Sequence, residues 1–148
     1  MYGTLVDSNT YFSTLRYDRQ AIWANSSEAA RTACLGEATN LIDMLNFEGD
    51  KTDEEQELEF PRDGDTEVPT PIIHAAYEIA YQILSGRDVD IELENVEKVA
   101  VAFGQRRVDK EKSFVSEAKT NGIPSERAWK LLKPFLRDPH KVKIIRST

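Results

Sequence analysis

The chain has 148 residues, of which 40% are hydrophobic and 30% charged, and its formal net charge is −7 at pH 7. This length predicts one domain with a real core, and the apolar content excludes a wholly disordered chain. No stretch approaches 18 apolar residues and no basic-then-apolar leader is present, so we expect neither a membrane span nor a secretory signal. Cys34 is the only cysteine, which excludes an internal disulfide, and its apolar neighbours predict a small core residue.

Charge is divided unevenly along the chain. Residues 1–100 carry 7 Lys and Arg against 21 Asp and Glu, whereas residues 101–148 carry 12 against 5. An acidic body with a basic C-terminal third can attract other copies of itself or a complementary partner, although two independently solvated surfaces would have the same composition. The acidic majority repels phosphate, so the composition as a whole does not indicate a nucleic-acid-binding protein.

The first half of the chain predicts two principal helices. Asp7 or Ser8 is expected to cap a first helix that carries aromatic residues. Ser26 or Ser27 is expected to cap a main helix that runs to about Asn46. The apolar stripe of this main helix comprises Ala30, Cys34, Ala38, Leu41 and Leu45, broadened by Ala33, Leu35 and Ile42.

A polar loop and a short extended segment follow the main helix. Residues 50–57 are mostly acidic and predict a solvated loop. Leu58 and Phe60 alternate with glutamates, which predicts an extended segment with one buried face. Pro61 has no N–H for a β-ladder and is expected to end that segment.

The second half predicts a third and a fourth helix. Thr70 is expected to cap a helix that begins at Pro71 and stops at Gly86. Residues 96–118 are compatible with a β-hairpin or a helical arm. A fourth helix is expected after a cap at Ser125, with a kink or an early end caused by Pro134.

The segment Gln56–Gly64 reads Gln-Glu-Leu-Glu-Phe-Pro-Arg-Asp-Gly and precedes the Pro-initiated helix. In this order of features the chain resembles a family of phage head–tail connector, or adaptor, proteins whose relatives are often labelled DnaT-like. Phe60 stands where the family pattern has Trp. The resemblance covers about residues 4–87 and rests on Tyr11-Phe12, Trp23, Ala29–Asp43, Gln56–Gly64 and Pro71–Gly86.

The resemblance implies a mainly α fold: a compact bundle of about four helices over residues 1–138, with an inserted β-hairpin or extended arm at about 96–118 and a C-terminal tail at 139–148. It implies a structural, non-enzymatic head–tail adaptor of a double-stranded DNA phage, located in the virion neck after assembly in the host cytoplasm. The implied partners are other copies of the chain in a ring, expected to be a dodecamer, the portal protein, and a tail or nozzle protein. Contact with genomic DNA would be incidental, and no membrane partner is implied.

The C-terminal tail is the predicted partner contact within this hypothesis. It combines apolar and basic residues and could add to the portal as a strand or arm that orders only on assembly. A frayed terminus is the alternative interpretation. The residues concerned are Val142, Lys143, Ile144, Ile145 and Arg146.

Single-stranded DNA binding is the main alternative function, and it needs basic side chains interleaved with exposed aromatic rings. The nearest candidates are Arg106, Arg107, Lys110 and Lys112, which could equally lie at a subunit interface. Phe114 is the one aromatic residue near them, because the rings further on are assigned to the fourth helix core. Further basic residues follow at Lys130, Lys133, Lys141, Lys143 and Arg146.

Catalysis or metal binding would require converging polar groups, which the sequence does not indicate. His74 and Glu78 lie one helical turn apart, but no third metal ligand is near them in sequence. We interpret His74 as a partly buried helix residue paired with Glu78. The sequence also lacks a Gly-rich phosphate loop and a Gly-x-Ser-x-Gly elbow, so we expect no enzymatic activity, no metal and no cofactor.

Overall fold

The computed structural model describes residues 1–95 and 115–140, and over these ranges the chain is mainly helical and forms no β-strand. The mainly α prediction is therefore confirmed. The first half comprises α1 (Leu5–Thr14), a 3₁₀ turn (Tyr17–Arg19), α2 (Gln20–Asn25), α3 (Glu28–Asp43) and α4 (Thr70–Leu84). The second half comprises α5 (described over 89–95), α6 (Glu117–Thr120), α7 (Glu126–Leu132) and a 3₁₀ turn (Lys133–Phe135).

Helix α4 is the centre of the fold and packs against both α3 and α7. Its apolar residues are dense enough to bury most of its circumference, including the charged Glu78. Pro69 occupies the N-cap position, so the helix begins at Thr70, one residue before the predicted start. Gly86, with φ of 83°, follows the last turn as predicted.

The start of α1 differs from the prediction. Thr4, rather than Asp7 or Ser8, is the N-cap, and its Oγ1 accepts a hydrogen bond from the backbone N–H of Asp7 at 3.1 Å. Thr4 Oγ1 also donates to the Asp7 carboxylate at 2.7 Å, so the two side chains close the first turn reciprocally. Sequence reasoning placed the start too late because it took the acidic residue for the cap itself.

Helix α3 begins as predicted and buries part of the predicted stripe. Ser27 is its N-cap, and Ser27 Oγ accepts the N–H of Ala30 at 3.1 Å. The helix ends at Asp43, before the predicted Asn46. Its buried residues are Leu35, Ala38, Thr39 and Ile42, so only part of the predicted stripe faces the core and Cys34 is partly exposed.

The loop between α3 and α4 carries Phe60 into an aromatic cluster. The Phe60 ring lies 4.7 Å from Phe47, 5.8 Å from Phe135 and 6.2 Å from Tyr2, measured between centroids. The prediction that Phe60 faces the core is confirmed, but the segment is an irregular loop and not a strand. The Tyr2 hydroxyl bridges this cluster to α3 by donating to Asp43 and accepting the N–H of Phe60.

Two side chains of the Gln56–Gly64 segment hold the loop together from within. The Gln56 amide donates to the carbonyls of Leu58 at 2.7 Å and Pro61 at 2.9 Å. The Arg62 guanidinium donates to the carbonyls of Glu48 and Gly49 and to the Glu59 carboxylate at 2.6 Å. The Phe60–Pro61 peptide bond between them is cis. Residues 53–55 remain exposed, as predicted for the acidic loop.

The predicted β-hairpin or arm at 96–118 lies mostly outside the described residues. At its end, Glu117 and Ala118 belong to α6, which Ser116 caps through Oγ, so a returning strand that includes them is wrong. The tail beyond His140 is also outside the described residues. Within 1–95 and 115–140, no helix combines the length and hydrophobicity needed to cross a membrane.

Candidate functional site

The basic side chains that the structure describes near the C-terminus are arranged by helix α7. Ser125 caps this helix as predicted, accepting the N–H of Ala128 at 3.1 Å. Ala128, Trp129 and Leu132 turn towards the core. The intervening helical positions therefore face solvent, and they are occupied by Arg127 and Lys130.

Pro134 then ends the helix and redirects the chain. The last helical turn becomes a 3₁₀ turn over Lys133–Phe135, as the internal proline predicted. Backbone hydrogen bonds tie the following residues to the loop after α3: the Glu48 N–H donates to Phe135 at 2.9 Å and the Arg137 N–H donates to Asn46 at 3.0 Å. The exposed Lys133 and Arg137 thus continue the basic face of α7. We call Arg127, Lys130, Lys133 and Arg137 the basic face.

An open groove of about 670 Å³ lies beside this face. Its lining includes Trp129, Lys133, Arg137 and His140, with Asn46 on the opposite wall. The same lining also includes Glu117 and Asp138, so the two cations Lys133 and Arg137 are balanced by two carboxylates.

The cations of the basic face differ in how far they are already neutralised. Lys133 Nζ lies 2.7 Å from the Glu117 carboxylate, and this contact lowers the pKa of the Glu117 carboxyl. Arg127 Nε lies 3.4 Å from Glu78. Among the described residues, Lys130 and Arg137 form no side-chain ion pair and are exposed. These two charges are available to a ligand.

Glu78 anchors the N-terminal end of the basic face to the core. Its carboxylate is fully buried, and the same oxygen accepts a hydrogen bond from the Tyr11 hydroxyl at 2.8 Å and forms ion pairs with Arg16 Nη1 at 3.0 Å and Arg127 Nε at 3.4 Å. Burial, followed by the hydrogen bond to Glu78, raises the pKa of Tyr11 to about 12. The Arg127 side chain is nevertheless 58% exposed, so one arginine contacts both the core and the solvent.

His74 is not paired with the Glu78 carboxylate, although the sequence analysis predicted that pair. It is partly buried, as predicted, and its ring lies 4.7 Å from that of Tyr11. Burial first, and then the charge of Arg127, lowers the pKa of His74. In the described part of the chain, no group of three or more potential metal ligands occurs.

The site residues predicted from sequence lie outside the residues that the structure describes. Residues 96–114 contain Arg106, Arg107, Lys110 and Lys112, and residues 141–148 contain Val142, Lys143, Ile144, Ile145 and Arg146. Sequence reasoning noted Lys130 and Lys133 but missed the face they share with Arg127 and Arg137. The signal was the spacing of three residues between positions 127, 130 and 133, which places the side chains along one side of a helix.

Comparison with known proteins identifies the family. A family model described as "Putative DnaT-like ssDNA binding protein" matches residues 2–147, nearly the whole chain. The chain belongs to this family. No curated protein and no solved structure matches it.

The family match corrects the functional class inferred from sequence. The match is to the DnaT-like family and not to a head–tail adaptor family, so the assignment to the adaptors is wrong. The adaptor function, the ring, and the portal and tail partners inferred from that assignment are withdrawn with it. The proposed portal contact at residues 142–146 therefore loses its basis. The virion location rested on the same assignment and stays an untested prediction.

Proposed function

We propose that this DnaT-like family member binds single-stranded DNA without catalysing a reaction on it, and that the basic face is part of the binding surface. The observation that carries the proposal is the family match over residues 2–147. The described cations support it, because Lys130 and Arg137 are exposed and unpaired within the described ranges, and Arg137 lines an open groove. A Lys or Arg side chain can neutralise a DNA phosphate when it is exposed and not already paired with a carboxylate.

The uneven distribution of charge along the chain indicates which part of the protein would contact DNA in the proposed complex. Residues 1–100 are strongly acidic, whereas residues 101–148 carry the excess of Lys and Arg. A DNA strand would be repelled by the first surface and held by the second. The basic residues Lys141, Lys143 and Arg146 follow His140 in sequence and add to the positive charge of this part of the chain.

Binding is tested by fluorescence anisotropy with a labelled oligothymidylate at about 50 mM and about 200 mM salt. We expect binding that weakens steeply with salt, because each neutralised phosphate contributes about −0.7 to the slope of log K against log salt for a single strand. An unlabelled duplex of the same length should compete poorly. Absence of binding at the lower salt would contradict the proposal.

The contribution of the basic face is tested with the double variant Lys130→Gln and Arg137→Gln. It should lower the affinity and reduce the salt slope by about 1.4, which corresponds to two lost phosphate contacts. The matched control is Thr32→Glu with Asn40→Asp, which changes the net charge by the same amount at exposed positions of α3. Equal effects of the two double variants would show that only net charge matters and not this face.

A further inference from the structure

Tyr17 is an exposed aromatic residue in a fold that buries its other rings. It is the first residue of the 3₁₀ turn after α1, and its side chain is 74% exposed. Every other aromatic side chain in residues 1–95 and 115–140 is buried or, for Phe135, partly buried. A ring left in water has no packing role in the monomer, so it is available to another molecule.

The corner that carries Tyr17 also carries arginines. Arg16 precedes it and reaches Glu78, while the Arg19 guanidinium lies over the Tyr81 ring, 4.5 Å from its centroid. The contact with Tyr81 holds the Arg19 side chain against the surface of the fold. Asp18 neutralises one of these charges, since it pairs with Arg16 at 3.1 Å. With Glu78 as the second acid, Arg16 and Arg19 are balanced by two carboxylates, so the corner is locally neutral although this half of the chain is acidic.

The Tyr17 corner adjoins the basic face through Glu78. Arg16 and Arg127 contact the same carboxylate oxygen, at 3.0 and 3.4 Å, so their guanidinium groups are near neighbours. Arg16 is the residue next to Tyr17, and Arg127 begins the basic face. A chain of phosphates that runs along α7 towards Arg127 therefore arrives at the corner where the ring of Tyr17 is exposed.

We propose that Tyr17 is a base-stacking residue of the single-stranded DNA site, positioned at the Arg127 end of the basic face. The inference rests on the proposed function and adds the contact that selects single strands. Cations alone attract any phosphate backbone, whereas a base can stack on an aromatic ring only when it is not paired inside a duplex.

The test compares Tyr17→Ala with Tyr17→Trp and with Leu15→Ala, which removes a neighbouring exposed apolar side chain. Affinity for labelled oligothymidylate is measured by anisotropy. Tyr17→Ala should weaken binding about tenfold, the loss of one base–aromatic stack, while leaving the salt slope unchanged because no phosphate contact is removed. Tyr17→Trp should retain wild-type affinity, and Leu15→Ala should have no effect.

An oligonucleotide of abasic sites provides a second measurement. It keeps the phosphates and has no bases, so wild type and Tyr17→Ala should bind it equally. If wild type binds oligothymidylate with a steep salt dependence and Tyr17→Ala binds within twofold of it, the stacking role is overturned while the proposed function stands. If wild type does not bind oligothymidylate at all, the proposed function and the stacking role both fail.

Discussion

Arg16 and Glu78 form an ion pair of 3.0 Å in which the carboxylate is fully buried and the arginine side chain is 11% exposed. Arg16 lies between α1 and the 3₁₀ turn, whereas Glu78 lies on α4, so the pair joins the N-terminal corner to the central helix. A buried charge whose partner is removed keeps its desolvation cost without compensation. The folded state therefore depends on both members of the pair.

Replacement of Glu78 by Gln should destabilise the protein by about 3–5 kcal/mol, because Arg16 would lose its buried counter-charge while the side-chain volume is kept. Urea denaturation followed by circular dichroism measures the change in midpoint at constant slope. Glu37→Gln, at an exposed position of α3, is the matched control and should leave the midpoint unchanged. Equal midpoints for Glu78→Gln and wild type would show that the ion pair between Arg16 and Glu78 does not stabilise the folded state.

Truncation of Phe60 to Ala should cost about 3–5 kcal/mol, since the ring contacts Phe47, Phe135 and Tyr2 and leaves a cavity when removed. Leu58→Ala removes a partly buried side chain of the same loop and should cost clearly less. Thermal unfolding ranks the two variants. A smaller loss for Phe60→Ala than for Leu58→Ala would show that the aromatic cluster is not central to the core.

Replacement of Arg62 by Lys should loosen the loop, because a single ammonium cannot reproduce the fork that binds the Glu48 and Gly49 carbonyls together with Glu59. We expect a loss of about 1–3 kcal/mol and faster cleavage after the exposed glutamates by a glutamate-specific protease. Arg137→Lys, which alters an exposed arginine outside the loop that has no side-chain ion pair among the described residues, is the control. Unchanged cleavage rates in Arg62→Lys would show that the hydrogen bonds of Arg62 do not hold the loop in place.

Stability should fall in acid partly through Glu92. Hydrogen bonds from Arg87, and next from Lys119, lower the pKa of Glu92 to about 2, whereas an unfolded glutamate titrates near about 4.3. Because the folded pKa is the lower one, the contribution is fully present above about pH 5 and is lost as the pH falls towards 2.

The size of this effect is limited by solvent, since the Glu92 side chain is 32% exposed. We expect about 0.2–1 kcal/mol. Urea midpoints at about pH 6 and about pH 3, compared between wild type and Glu92→Gln, measure it, and the variant should lose less stability over this interval. Asp90→Asn is the control, because Asp90 is an exposed acid on the same helix. If the urea midpoints of wild type and Glu92→Gln fall by the same amount between the two pH values, Glu92 does not contribute to the loss of stability in acid.

Local signals in the sequence predicted the ends of helices well. Ser27 and Ser125 cap α3 and α7, and Pro134 ends α7, because each effect depends only on residues within one turn. The partners of Glu78 were not predictable in this way. Arg16 lies 62 positions before it and Arg127 lies 49 positions after it, so no periodicity or spacing in the sequence connects them.

The functional class was misjudged for a related reason. The Gln56–Gly64 segment carried most of the resemblance to the adaptors, but in the structure Gln56 and Arg62 bond to carbonyls of their own loop. These residues of the motif stabilise the fold of the loop, and a shared loop fold does not by itself establish a shared function. The spacing of Arg127, Lys130 and Lys133 was visible in the sequence, whereas the position of Arg137 depends on the turn at Pro134.

The shared carboxylate oxygen of Glu78 also constrains how relatives of this protein can diverge. Tyr11, Arg16 and Arg127 meet at that one atom, so substitution of Glu78 leaves all three without their shared partner. Homologues with an apolar side chain in place of Glu78 are therefore expected to have exchanged Arg16 as well, and covariation between these two positions should be the strongest between α4 and the N-terminal corner.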